Sequence, residues 1–89
     1  MNEELSPGSE GDTLNLGRQP LDIVMIEMGL KNTDLVSATT ESLTHKMVQR
    51  GRKGRRLTRR IQDRICTALG LATGREFTTE QLFTYRGHI

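Results

Sequence analysis

Eighty-nine residues with 34% hydrophobic and 3% aromatic side chains make one small domain, and its core has to be aliphatic. That balance excludes an ordinary sandwich or barrel, which would show more β-branched and aromatic alternation, and leaves an all-α fold. The formal net charge of +2 hides a division: residues 1–20 sum to −3 and residues 21–89 to +5. A single cysteine, Cys66, excludes an internal disulfide framework and fits a reducing compartment. No apolar run approaches the roughly 20 residues of a membrane span, and the amino terminus lacks the basic and apolar regions of a signal peptide. The expectation is a cytoplasmic protein, nucleoid-associated if bacterial, with no membrane partner.

Residues 1–20 hold four acids against Arg18, with Gly8, Gly11, Gly17, Pro7 and Pro20 and only scattered leucines. Such a segment buries too little surface to offset its ordering entropy, so it reads as a disordered acidic tail, dispensable for folding. Pro20 marks the boundary and suits the first turn of the next element. Residues 21–30 are apolar nearly all round, as in a helix buried on more than one side, and Gly29 suits its end. Asn32 or Thr33 can cap a second helix with Asp34 in its first turn and Leu35 and Ala38 facing inward. Residues 39–42 are a poor helix interior and read as a turn.

A third helix is expected from about Ser42. At about 100° per residue, Leu43, Met47, Val48 and Gly51 share one side, while Ser42, His45, Lys46, Gln49 and Lys53 share the other. Gly51 and Gly54 should bracket its fraying end and open a basic loop. The fourth helix, over residues 57–71, carries the clearest stripe: Leu57, Ile61, Ile65, Ala68 and Leu69. Gly70 and Gly74 end it. Cys66 falls off that stripe and is either a small packing residue or an exposed thiol. Thr78 and Gln81 form a capping-box pattern before a short fifth helix with Leu82, Phe83 and Tyr85. The domain division is therefore a tail over 1–20 and a compact bundle of four to five helices over 21–89.

Nine of the thirteen Lys and Arg residues lie between Lys46 and Arg64, against one acid, Asp63. Like charge concentrated on one segment repels itself, and a polyanion turns that repulsion into binding by releasing counterions. Asp34, Leu35, Val36, Ser37 and Ala38 as a supporting helix, residues 43–50 as a second helix after a turn, and Ala68, Leu69, Gly70 and Leu71 closing the fourth resemble the lambda-repressor-like helix-turn-helix domains. The likeness covers roughly residues 21–85, and Thr79, Glu80, Gln81, Leu82 and Phe83 resemble that family's last helix. It implies a DNA-binding protein, a small transcriptional regulator, with the third helix in the major groove and the following loop on phosphates.

On that reading Ser42, His45, Lys46 and Gln49 reach base edges, Gln49 pairing with adenine and Lys46 with guanine. Arg50, Arg52, Lys53, Arg55, Arg56, Arg59 and Arg60 contact phosphates, which need charge and reach but little geometry. A homodimer on double-stranded DNA is expected, held by Ile23, Ile26 and Leu30 or by residues 82–89, because one module of this size covers little DNA.

Two other classes stay open. An Arg-rich segment also binds structured RNA, and it could instead dock an acidic protein partner. His45, His88 and Cys66 lack the close pairs of a structural zinc site, so no metal or cofactor is expected. No Walker loop, Gly-x-Ser-x-Gly elbow or catalytic carboxylate pair occurs, and an enzyme is not expected.

Overall fold

The computed structural model describes residues 16–85, and these form five helices with no strand. They are α1 (Pro20–Glu27), α2 (Asn32–Ala38), α3 (His45–Lys53), α4 (Arg59–Thr73) and α5 (Thr79–Leu82). Helix α2 lies against α3 and α4, and α1 lies against α3 and α5, so α3 is braced from both sides. No helix among the described residues is long and apolar enough to cross a membrane.

The helix starts follow from local chemistry. Pro20 occupies the first turn of α1, where its missing N–H costs nothing. Asp34 accepts a hydrogen bond from the Lys31 N–H at 2.7 Å, which fixes the start of α2. The hydroxyls of Thr44, Thr58 and Thr78 accept from the backbone N–H groups of Met47, Ile61 and Gln81. Gln81 returns the bond to the Thr78 N–H at 2.8 Å, completing the capping box expected from the sequence. Gly54 and Gly74 close α3 and α4 with φ of +91° and +77°, a region that side chains with a Cβ rarely adopt.

The core is aliphatic, as the composition requires. Leu21, Met25, Leu35, Val48, Ile65, Ala68, Leu69 and Leu82 are all fully buried. The stripe on α4 is present, with Leu57 buried just ahead of the helix and Gly70 inside it rather than at its end. Cys66 is a packing residue: burial, with the nearby charges of Asp63 and Glu80, pushes its thiol up to about 11.

Four differences from the sequence reading have physical causes. First, α1 buries one face only; Ile23 and Ile26 are 42% and 55% exposed. Second, α3 begins at His45 rather than Ser42, because Thr44 caps it and the Arg64 guanidinium holds the Ser42 carbonyl at 3.0 Å. The connection between α2 and α3 therefore runs over residues 39–44. Third, Gly51 is a buried interior residue of α3, not a fraying end. A Cβ there would lie 3.1 Å from Leu57 Cδ1 and 3.3 Å from Leu21 Cδ2.

Fourth, the packed chain starts earlier than Leu21. Residues 1–15 lie outside the described residues, but residues 16–20 belong to the domain. The Leu16 N–H donates to the Gly54 carbonyl at 2.9 Å, and the Gln19 N–H donates to the Arg52 carbonyl at 3.2 Å. Gln19 is fully buried, and its Oε1 accepts from the Thr84 N–H at 2.7 Å and the Thr84 hydroxyl at 3.1 Å. A buried amide is tolerated only when its groups are partnered, and here they are. Gly17 lies so close to Gly54 that a Cβ on the latter would sit 1.9 Å from the Gly17 carbonyl oxygen.

Two substitutions test this packing. Gln19→Leu keeps the volume but leaves the Thr84 N–H without its acceptor, and should lower stability in urea unfolding by about 1–3 kcal/mol. Gly51→Leu should lower it by about 1–3 kcal/mol through overpacking against Leu21 and Leu57. Wild-type midpoints for both would show that neither contact exists in solution.

Candidate nucleic-acid interface

The outer side of α3 is polar because its apolar positions, Met47, Val48 and Gly51, all turn inward. His45, Lys46, Gln49, Arg50 and Lys53 are exposed. With Asn32 and Arg55 they line an open groove of about 500 Å³. Four of those seven residues are cations and none is a carboxylate. On the other flank of the helix, Gln49 and Lys53 also border a hollow of about 490 Å³ with Gly17, Arg18, Asp22 and Arg52. Gln49 and Lys53 thus stand on the ridge between the two.

The structure brings only some of the sequence-selected residues to this surface. Ser42 is exposed but sits in the connection ahead of α3, two residues before its cap, so it is not part of the helix face. Arg52 is turned away from the groove. Its Nε donates to Asp22 Oδ1 at 2.5 Å and its Nη1 to Asn32 Oδ1 at 2.7 Å, with the side chain 17% exposed. The guanidinium is engaged inside the domain, on Asp22 and Asn32, rather than standing in the groove. Arg56 stacks over the Tyr85 ring at 5.9 Å. Arg59 lines a separate hollow with Gln62, Glu80, Phe83 and Tyr85, away from the α3 groove. Arg60 is exposed on the first turn of α4.

Three residues that shape the surface were passed over in the sequence. Asp22 gathers Arg18 and Arg52 on its two carboxylate oxygens, at 2.5 Å each. Asn32 sits between Arg52 and Gln49, donating from Nδ2 to Gln49 Oε1 at 2.9 Å. Tyr85 clasps the basic loop between α3 and α4: its hydroxyl accepts from the Leu57 N–H and donates to the Arg55 carbonyl, each at 3.0 Å. Its ring meets Phe83 edge-on at 5.8 Å. The only sequence signal for Asp22 is that it and Glu27 are the two charges in an otherwise apolar helix.

Burial pushes the Asp22 carboxyl up, but the hydrogen bonds and charges of Arg18 and Arg52 outweigh it and hold the group below its ordinary 3.8. Of the exposed apolar candidates for a dimer contact, Ile23 and Ile26 are open, whereas Leu30 is partly buried on the core and Leu82 and Phe83 are inside it. Residues 86–89, with His88, lie outside the described residues. Among the described residues, no three His, Cys, Asp or Glu side chains are grouped as metal ligands.

No family model, curated protein or solved structure matches this chain.

A carboxylate with a depressed folded pKa stabilises the fold above its unfolded value, and that contribution is lost as pH falls through the folded value. Stability should therefore fall as pH drops below 3.8 in part through Asp22. Asp22→Asn should be less stable than wild type at neutral pH, and the gap should close in acid. A gap that stays constant with pH would mean the two ion pairs contribute nothing.

Proposed function

We propose that this protein binds duplex DNA through α3 and regulates transcription as a small helix-turn-helix module. The observation that carries this is the groove along α3, with Lys46, Arg50, Lys53 and Arg55 on it and no carboxylate. Cations held on a rigid helix and on a loop clasped by Tyr85 suit phosphate contacts, whose role is to fix orientation. His45, Lys46 and Gln49 on the exposed first turns of α3 suit base edges. The resemblance to lambda-repressor-like domains supports the same use of the third helix, with α2 bracing it. A homodimer belongs to this proposal, with the exposed Ile23 and Ile26 as its contact.

Single-stranded nucleic acid is less well suited. Such binders stack bases on exposed aromatic rings, whereas Phe83 is buried and Phe77 and Tyr85 are partly buried against the core. Structured RNA is separated from DNA by the binding assay itself.

Fluorescence anisotropy against a random-sequence duplex, an RNA hairpin and an acidic protein gives the first test, with duplex DNA expected to bind tightest. Arg50→Ala, Lys53→Ala and Arg55→Ala should weaken binding to all duplexes alike, and each should reduce the log–log salt slope by about 0.9. Lys46→Ala should cost about 1–3 kcal/mol on a selected site and relax its preference at one base pair. Tighter binding to the hairpin, with the same salt dependence, would move the function to RNA.

A further inference from the structure

The hydrogen bonds behind α3 have a direction, and the direction is set by Arg52. A guanidinium offers hydrogens only. Arg52 therefore forces Asn32 to turn Oδ1 towards it, at 2.7 Å. Asn32 is left with Nδ2 facing α3, and Gln49 must answer with Oε1, at 2.9 Å. The Gln49 carboxamide is thereby oriented with Nε2 outward, and among the described residues no partner takes up that nitrogen. Asp22 anchors the chain by holding Arg52 Nε at 2.5 Å, while Arg18 holds its second oxygen. Three helices thus fix the polarity of one exposed side chain.

We infer that Gln49 presents hydrogen-bond donors to its target and selects guanine over adenine at the base pair it meets, with Asp22, Arg52 and Asn32 as positioning residues. Guanine shows two acceptors in the major groove, N7 and O6, whereas adenine shows one acceptor and the N6 donor. The bidentate adenine pairing of a glutamine needs Oε1 to face N6 beside Nε2, and here that oxygen is turned inward onto Asn32. The inference rests on the proposed binding of duplex DNA by α3. It replaces the adenine assignment of Gln49 made from the sequence.

Reversing the polarity is the test. Asn32→Asp keeps an oxygen for Arg52 but offers a second oxygen to Gln49, which must then turn Nε2 inward and Oε1 outward. An acid in the first turn of α2 suits the helix start, so the fold should persist, checked by its helical signal. Sites are selected from a random duplex library by the wild type, Gln49→Ala and Asn32→Asp; the pair whose preference Gln49→Ala relaxes is the pair under Gln49. The wild type should prefer guanine there by roughly tenfold, and 7-deazaguanine, which lacks the N7 acceptor, should lose most of that preference. Asn32→Asp should bind all duplexes more weakly for its added charge and should shift the preference at that pair to adenine or cytosine, which offer donors. Asp22→Asn should relax the same pair and no other.

A wild-type preference for adenine at that pair, or a guanine preference that survives Asn32→Asp, overturns the inference and leaves DNA binding standing. Failure of the wild type to bind any duplex removes the DNA-binding reading and this inference with it. In the free protein, one Asn32 side-chain amide hydrogen should exchange slowly with water and those of Gln49 fast. The opposite pattern overturns the wiring whether or not DNA binds.

Discussion

The absent side chain at Gly51 decides how α3 is held. Its Cα faces the ends of Leu21, Leu57 and Ile65, so α1 and α4 close on α3 to within ordinary contact of a backbone. With only Val48 and Gly51 fully inside and Met47 partly so, the buried side of α3 is narrow. The remainder of its circumference is free to carry charge. A helix whose residues average so polar could not be held by a broad apolar stripe; close approach substitutes for area. The exposed row of His45, Lys46, Gln49, Arg50 and Lys53 exists because so little of the helix has to be apolar.

Concentrated positive charge still has to be accommodated by the folded chain. The domain divides its cations into two groups. Arg52 is neutralised by Asp22, Arg64 pairs with Glu41 at 3.8 Å and Arg56 lies over Tyr85. Those contacts tie α3, the α3–α4 loop and α4 to their neighbours. Lys46, Arg50 and Lys53 stay outside. The exposed pair Arg64–Glu41 contributes little to stability. Asp22, by contrast, joins α1 to α3 and sets which side chains of α3 are left to act. Repulsion within the basic segment is therefore relieved from behind, and the outward charges keep their full field.

Much of the fold is legible in the sequence because periodicity reports burial. The α4 stripe of Ile61, Ile65, Ala68 and Leu69, the Thr78–Gln81 capping box and the place of Pro20 follow from local rules. The start of α3 did not, because Leu43 continues the apolar period of the helix although it precedes the cap at Thr44. Gly51 and Gly54 look alike as letters; only packing makes one a helix interior and the other a left-handed close. The exposed face of α3 was readable as a face. The roles of its members were not, since Arg52 meets Asp22 across 30 residues, and Gln49 meets Asn32 across 17. No local pattern says which long polar side chain will reach which partner. Gln19 was lost in a segment whose glycines and acids point to disorder.

The bond between Gln19 and Thr84 spans 65 residues and joins two ends of the described chain. During synthesis the earlier partner is made long before the later one. Until Thr84 is made the Gln19 amide is hydrogen-bonded to water, whereas the bonds of this segment to Arg52 and Gly54 need no residue beyond 54. The contacts among α1 to α4 join residues closer in sequence than this bond does, and can form before it. The bond between residues 19 and 84 closes a long loop, and that closure adds entropy to the barrier. Any release of Thr84 at the surface opens the domain at its seam and loosens α1 from α5. The contacts of α1 with α3 and of α2 with α4 do not pass through that bond.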